Sequence, residues 1–257
     1  MISVFAGGEF VAGEPIDDDL LVADSWLVAD GAVRFLDDHG RRFRAACEAA
    51  ALSGDLVAAM WRAAVAALPR DGVWFPRVEL SACGELRFRL RTAPARGEPL
   101  AVWVRPPGDP RRVPHVKGPD LPTLARLRED ARRHGAHEAL ITAADGRVVE
   151  GATTSLLWWE GDTLCVPPSE LPALPGVTTA RLQRRAAELG IPVIHRRRRP
   201  QDLAGRETWL VNALHGIRPV RRWVAPEILH PGPAEKAPSW QAWLAEQAAP
   251  LPSRPAQ

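Results

Sequence analysis

Residues 139–166 hold four short apolar stretches separated by turn signals, a spacing that helices cannot satisfy and antiparallel strands can. Ala139 to Thr142 and Val148-Val149 flank Asp145-Gly146, and Ser155 to Trp159 and Thr163 to Val166 flank Gly161-Asp162. Such pairs take the positive φ angles that a tight hairpin turn demands. The expected structure is a β-meander, bracketed by helices. Pro122 to His134 puts Leu124, Leu127 and Ala131 on one face and ends at Gly135, and Thr178 to Leu189 is closed by Gly190. A mixed α/β (α+β) class follows.

The first hundred residues read as alternating strands and helices. Ser3 to Phe10, Leu20 to Val28 and Ala32 to Leu36 are extended, Asp38 to Leu52 and Asp55 to Leu68 helical, and Leu86 to Arg91 alternates apolar and basic residues. The run Arg105-Pro106-Pro107-Gly108-Asp109-Pro110 forbids helix and interior strand. It is read as a connector, giving a small N-terminal domain over 1–105, a connector over 106–114, a larger domain over 115–250 and a flexible tail over 251–257. A last helix is expected over Trp240 to Ala248, with Ser239 as N-cap.

Composition narrows the function classes. A formal net charge of +2 over 257 residues argues against binding nucleic acid through bulk charge. The run Arg196 to Arg199 is read as a solvated strand end. Three widely spaced cysteines without a Cys-x-x-Cys pair suit a reducing cytoplasm. No apolar run of about 18 residues is present to span a membrane, and no signal-peptide pattern opens the sequence. His134 and His137 make no recognisable metal-ligand motif, so no metal is expected.

Of 33 basic residues only Lys117 and Lys236 are lysine. Arginine cannot lose its proton near neutral pH or form an imine, and lysine can do both. Lys236 lies in a Pro/Ala stretch that offers it no chemistry. Lys117 opens the first of four ordered patterns: Val116 to Leu121, a lysine before a helix; Asp145 to Ala152, a hairpin ending in Glu150-Gly151; Leu174-Pro175-Gly176-Val177-Thr178, a turn entering a helix; and Asn212-Ala213-Leu214 after a strand. A helix start suits a phosphate, a carboxylate can keep a pyridine nitrogen protonated, and an amine can condense with an aldehyde. Phosphate, pyridine and aldehyde together describe pyridoxal 5′-phosphate.

The segment from Lys117 to Val220 resembles the class IV aminotransferases, the fold type IV family of pyridoxal-phosphate enzymes. That family includes branched-chain and D-amino-acid aminotransferases and 4-amino-4-deoxychorismate lyase. The wording of Ala131 to Gly135, Val149 to Ala152, Thr163 to Pro168 and Leu174 to Thr178 carries the resemblance, and His39-Gly40-Arg41-Arg42-Phe43 is similar to the family's His-x-x-Arg-Leu helix. It implies a small N-terminal α/β domain and a larger C-terminal domain with a barrel-like sheet. It also implies an active site between the domains, near the interface of a cytoplasmic homodimer. By resemblance, Lys117 forms the Schiff base and shuttles a proton, and Glu150 pairs with the pyridine nitrogen. The N–H groups of Val177 and Thr178, the Thr178 hydroxyl and Arg42 hold the phosphate, with Arg41 as competitor to Arg42. Ala213 and Leu214 approach the cofactor through their backbone.

Departures from the family pattern bear on substrate. Leu121 stands where an aromatic is frequent, Asp120 where Asn is, and Ser155 where an Asn follows the glutamate; no tyrosine occurs anywhere. The implied activity is amino transfer between an amino acid and a 2-oxo acid. The alternatives are release of pyruvate and 4-aminobenzoate from 4-amino-4-deoxychorismate, and a non-catalytic binding relative.

Overall fold

The computed structural model describes residues 1–13, 19–95, 99–225, 227 and 229–253. The chain divides into two compact units. Unit 1 is Met1–Ala95, Val116–Pro119 and Glu246–Gln257, and unit 2 is Arg96–His115 and Asp120–Ala245. The Pro-rich run 105–110 thus lies within unit 2, where Gly108 bridges to Thr142.

In unit 1, β1 (Ile2–Ala6), β2 (Glu9–Ala12), β3 (Leu20–Ser25), β7 (Arg77–Ser81) and β8 (Leu86–Arg89) form an antiparallel sheet in the order β2-β1-β8-β7-β3. The expected strand from Ser3 to Phe10 is two strands. Gly7 and Gly8 adopt φ 60° and 92° and turn the chain back, so that Phe5 and Phe10 pair across the ladder with ring centroids 5.4 Å apart. The Gly7-Gly8 pair is itself a local hairpin signal between two apolar runs, and the single-strand expectation passes over it. The expected strand from Leu20 to Val28 also divides. After β3 the chain enters a second sheet made of β4 (Val28–Ala29), β5 (Ala32–Arg34), β6 (Val73–Trp74) and β17 (Ala248–Pro250), in the order β17-β5-β4-β6.

Two helices cover unit 1. Helix α1 (Leu36–Ala49) buries His39, Phe43 and Cys47 at a spacing of four, and α2 (Gly54–Ala66) buries Val57, Met60, Ala64 and Val65. Gly40 lets them close: a Cβ there would stand 2.9 Å from the Trp61 ring.

Unit 2 contains β9 (Leu100–Val104), α3 (Leu121–Arg133), β10 (Glu138–Thr142), β11 (Val148–Gly151), β12 (Ser155–Glu160), β13 (Thr163–Val166), α4 (Val177–Glu188), β14 (Val193–His195), β15 (Thr208–Asn212), β16 (Gly216–Val224) and most of α5 (Ala237–Glu246). Its sheet runs β11-β10-β9-β16-β15-β12-β13-β14, and an additional β11–β12 pairing joins the first strand back to the sixth. Six strands therefore close into a barrel. Alternate residues face opposite ways: Leu100, Val102, Leu140, Val148 and Leu156 share one apolar cluster, whereas Ala101, Ala139, Ile141 and Val149 share another with Leu127 and Ala131 of α3. Neither α3 nor α4 has a side-chain cap hydrogen bond. A cap contributes about 1 kcal/mol and one fully buried Leu or Val about 1.5–3 kcal/mol, so packing on the barrel holds these helices in place.

At the C-terminus, α5 begins at Ala237, not Trp240. Ser239 lies inside the helix and its hydroxyl donates to the Lys236 carbonyl oxygen. Ala237-Pro238 opens it, a position where proline's missing N–H costs nothing. Leu251 is buried and donates its N–H to Gly31, so the expected tail is anchored as far as it is described; residues 254–257 lie outside the described residues.

Candidate active site

Lys117 is held in unit 1 by its backbone. Its carbonyl accepts the N–H of Ala23 at 2.6 Å, beside a register shift in β3. Gly118 follows with φ 144°, and a Cβ there would stand 2.9 Å from the Val22 backbone, so only glycine lets the segment lie so close to the strand. On the far side, Asp120 accepts N–H groups from Arg112 (2.9 Å) and Val113 (2.8 Å) and ties off the loop that carries the lysine. Asp120 is thus engaged with backbone.

The residue after Ala23 is Asp24, fully buried on β3. Its carboxylate accepts Arg42 Nε and Nη2, each at 2.8 Å, and the Ser25 N–H at 2.7 Å, and lies 2.9 Å from His39 Nδ1. His39 and Arg42 come from one face of α1, three residues apart. Burial alone would raise the Asp24 pKa, but Arg42 and His39 together hold it well below the usual carboxylate range. Burial pushes the Lys117 amine down to about 8; Arg42, Arg77 and Arg91 add to the fall and Asp24 opposes it. Arg77 and Arg89 both pair with the buried Glu79. Of the two adjacent arginines in the sequence, Arg42 is the inward one. Arg41 is 68% exposed and pairs with Asp38.

The second group lies in unit 2. Glu150 is buried on β11, opposite Ser155 of β12. Its Oε1 accepts the Leu174 N–H at 3.0 Å and pairs with Arg111, which is itself held by both oxygens of Asp109 at 2.9 and 2.7 Å. Burial pushes the Glu150 carboxyl up to about 7 against the pull of Arg111. The start of α4 is adjacent. A Cβ on Gly176 would stand 2.7 Å from Ser155 Oγ and 3.1 Å from Thr179 Oγ1, and that Thr179 hydroxyl is buried with no partner among the described residues. Val177 and Thr178 are buried at this helix start. Ser155 also pairs with Val211 of β15, and Asn212 donates to Thr153 at 3.2 Å and accepts from the His215 N–H at 2.8 Å, which fixes the turn of Ala213 and Leu214.

The structure thus gathers Glu150, Val177, Thr178, Ala213 and Leu214 around one end of the barrel, and Lys117 with Arg42 around β3. Asp24, Arg77, Arg91 and Arg111 are neighbours that sequence reading missed. Each acquires its role from residues remote in the chain, so local pattern gave no signal for them. Lys236 is far less ambiguous than its scarcity suggested: its Nζ pairs with Asp162 at 2.8 Å and sits 4.8 Å over the Trp159 ring. Among the described residues no group of His, Cys, Asp or Glu could hold a metal, and no helix is long and apolar enough to cross a membrane.

Chemically, unit 1 presents a half-buried amine and a fixed guanidinium. Unit 2 presents a buried carboxylate one strand pair from an uncapped helix start. Comparison with known proteins agrees with these motifs. The family model described as amino-transferase class IV matches residues 21–223. The branched-chain-amino-acid aminotransferase of Escherichia coli K12 is 39% identical over 64 residues, 25% of this chain, and the match spans only 21% of that relative's length. Among solved structures, a hypothetical aminotransferase from Mycobacterium tuberculosis in its PLP-bound form aligns with TM-score 0.79 and 20% identity over 96% of this chain and 98% of that one. A putative 4-amino-4-deoxychorismate lyase from Legionella pneumophila aligns with TM-score 0.75 and 17% identity over 92% and 96%. At these identities the structural likeness speaks for the fold.

Proposed function

The chain belongs to the amino-transferase class IV family, and from that premise we propose that it is a pyridoxal-phosphate enzyme transferring an amino group between an amino acid and a 2-oxo acid. The observation that carries this reading is the unit 2 arrangement. A buried carboxylate faces Ser155 across one strand pair, and Ser155 faces Gly176 at an uncapped helix start with an unpartnered buried hydroxyl. A pyridine nitrogen and a phosphate fit those two places, so the residues present suit the cofactor. When bound, pyridoxal phosphate supplies an aldehyde for amines and a ring that accepts electrons.

The chain's own groups then have defined tasks. Lys117 supplies the amine and moves the proton at the substrate Cα. With a pKa near 8, roughly a tenth of it is neutral at pH 7, against well under a thousandth for an ordinary lysine. Glu150 holds a proton at the pyridine nitrogen, and Arg111 and the Leu174 N–H fix its orientation. The N–H groups of Val177 and Thr178, the Thr178 hydroxyl and Arg42 bind phosphate. Ala213 and Leu214 line the cofactor through backbone. A homodimer acting in the cytoplasm belongs to the same reading.

The test is spectroscopic and then chemical. Pyridoxal phosphate added to the purified protein is expected to give a visible absorbance band that Lys117→Ala abolishes. Amino acids are expected to bleach it, with glutamate-dependent turnover of a 2-oxo acid. Pyruvate and 4-aminobenzoate formed from 4-amino-4-deoxychorismate would assign the lyase reaction instead. A protein that stays colourless would leave a binding role.

A further inference from the structure

Asp24 is the least expected group in unit 1. It is a lone carboxylate in an apolar strand, with both oxygens spent on the Arg42 fork and further contacts to His39 and the Ser25 N–H. Burial and these contacts hold the Asp24 carboxylate in place, so the Nε/Nη2 edge of Arg42 is fixed against it. Arg42 is also half-buried, with an 18% exposed side chain, and is the charged group that acts most on Lys117. The Ala23 N–H that anchors Lys117 belongs to the residue before Asp24. One strand therefore anchors the Lys117 backbone and the Arg42 guanidinium at consecutive residues, Ala23 and Asp24.

A rigid planar fork recognises phosphate oxygens with little loss of side-chain freedom. Without Asp24 the same arginine would be a flexible point charge. We propose that Asp24 is a positioning residue that locks Arg42 beside Lys117 in the orientation that takes a phosphate monoester, so that the site selects a phosphorylated aldehyde over the same aldehyde lacking phosphate. This rests on the reading of Lys117 as the amine of a pyridoxal-phosphate enzyme.

The experiment compares wild type, Asp24→Asn, Arg42→Lys and the double variant, all freed of cofactor. Calorimetry measures the affinity for inorganic phosphate. Borohydride trapping with mass mapping measures the yield at Lys117 from pyridoxal phosphate and from pyridoxal. Asp24→Asn is expected to weaken phosphate about tenfold and to cut the preference for the phosphorylated aldehyde by a similar factor, as expected for a charge-assisted bidentate contact made imprecise. Pyridoxal trapping should change little, which a general loss of structure would not reproduce. The double variant should be no worse than Arg42→Lys, because Asp24 acts through Arg42.

An unchanged preference in Asp24→Asn, or losses that add in full with Arg42→Lys, overturns the proposal. So does a wild type that traps pyridoxal phosphate at Lys117 yet binds no phosphate. If circular dichroism shows Asp24→Asn unfolded, Arg42→Lys decides alone: it keeps the charge and loses the fork, and a full preference there refutes the role. If wild type binds phosphate in an Asp24-dependent way but traps neither aldehyde, the enzyme reading falls while the positioning of Arg42 stands.

Discussion

Lys117, the amine of the proposed function, carries a stability cost at a single residue. A half-buried ammonium acted on by Arg42, Arg77 and Arg91 is destabilising, and its pKa lowered to about 8 reflects that penalty. The unfolded chain holds this proton up to about pH 10.4, so between the two values the unfolded state binds more protons and stability rises with pH. Lys117→Met, which removes the charge at similar volume, is therefore expected to stabilise the cofactor-free protein by about 1–3 kcal/mol at pH 7. Its advantage should shrink toward zero by about pH 10. Denaturant titration at both pH values checks this; a Met variant less stable at pH 7 would show that the amine is better solvated than its surroundings imply. Gly118 is the companion residue. Gly118→Ala meets the Val22 backbone at 2.9 Å in a conformation that L-residues avoid, and a loss of about 2–4 kcal/mol, with displaced Lys117, is expected.

Among the elements, α3 shows how sequence becomes position. Leu127 and Ala131 dock on the outer face of the barrel beside Ala139 and Ile141. Leu127→Ala is expected to cost about 2–4 kcal/mol, read as a lower denaturation midpoint with unchanged slope; a loss below about 0.5 kcal/mol would mean the helix does not depend on this face. The same element shows what was legible beforehand. Helices α3 and α4 and the four meander strands announce themselves through periodicity and glycine stops, because those signals are local. The sheet change after β3 and the start of α5 do not. Each is set by which partner strand or helix the chain meets, and the residues involved read equally well either way. The candidate site divides along the same line. Lys117, Glu150 and Thr178 sit in ordered motifs, whereas Asp24 meets His39 and Arg42, and Arg111 meets Glu150, across 15 or more residues, although each also has a local partner in Ser25 or Asp109.

For the whole molecule, groups with shifted pKa values shape the response to pH, among them Asp24, Glu138, Glu150 and Lys117; burial raises Glu138 as it raises Glu150. Asp24, held low, contributes stability that is present above the ordinary carboxylate pKa of about 4 and is lost as the solution becomes more acid. Glu150, held high at about 7, works oppositely. Between about 4.3 and 7 the native state binds its proton and the unfolded state does not, so stability falls as pH rises through that window. Lys117 restores stability above 8. The cofactor-free protein is expected to show a minimum near neutral pH, flanked by higher stability near pH 5 and pH 9.5. Glu150→Gln should flatten the acid side of that minimum; an undiminished decline from pH 5 to pH 7 in that variant would assign it elsewhere.

Val33 pairs with Ala249, and Leu251 donates to Gly31. The last described strand of the sequence is therefore a piece of the unit that the first strand begins. During synthesis on the ribosome, residues 96–245 emerge with everything their barrel requires, whereas the unit that opens the chain must wait for its closing strand. The half carrying Glu150 and Thr178 thus has all its strands while the lysine half still lacks its closing strand, so the start of α4 can be in place before Lys117 acquires its final surroundings.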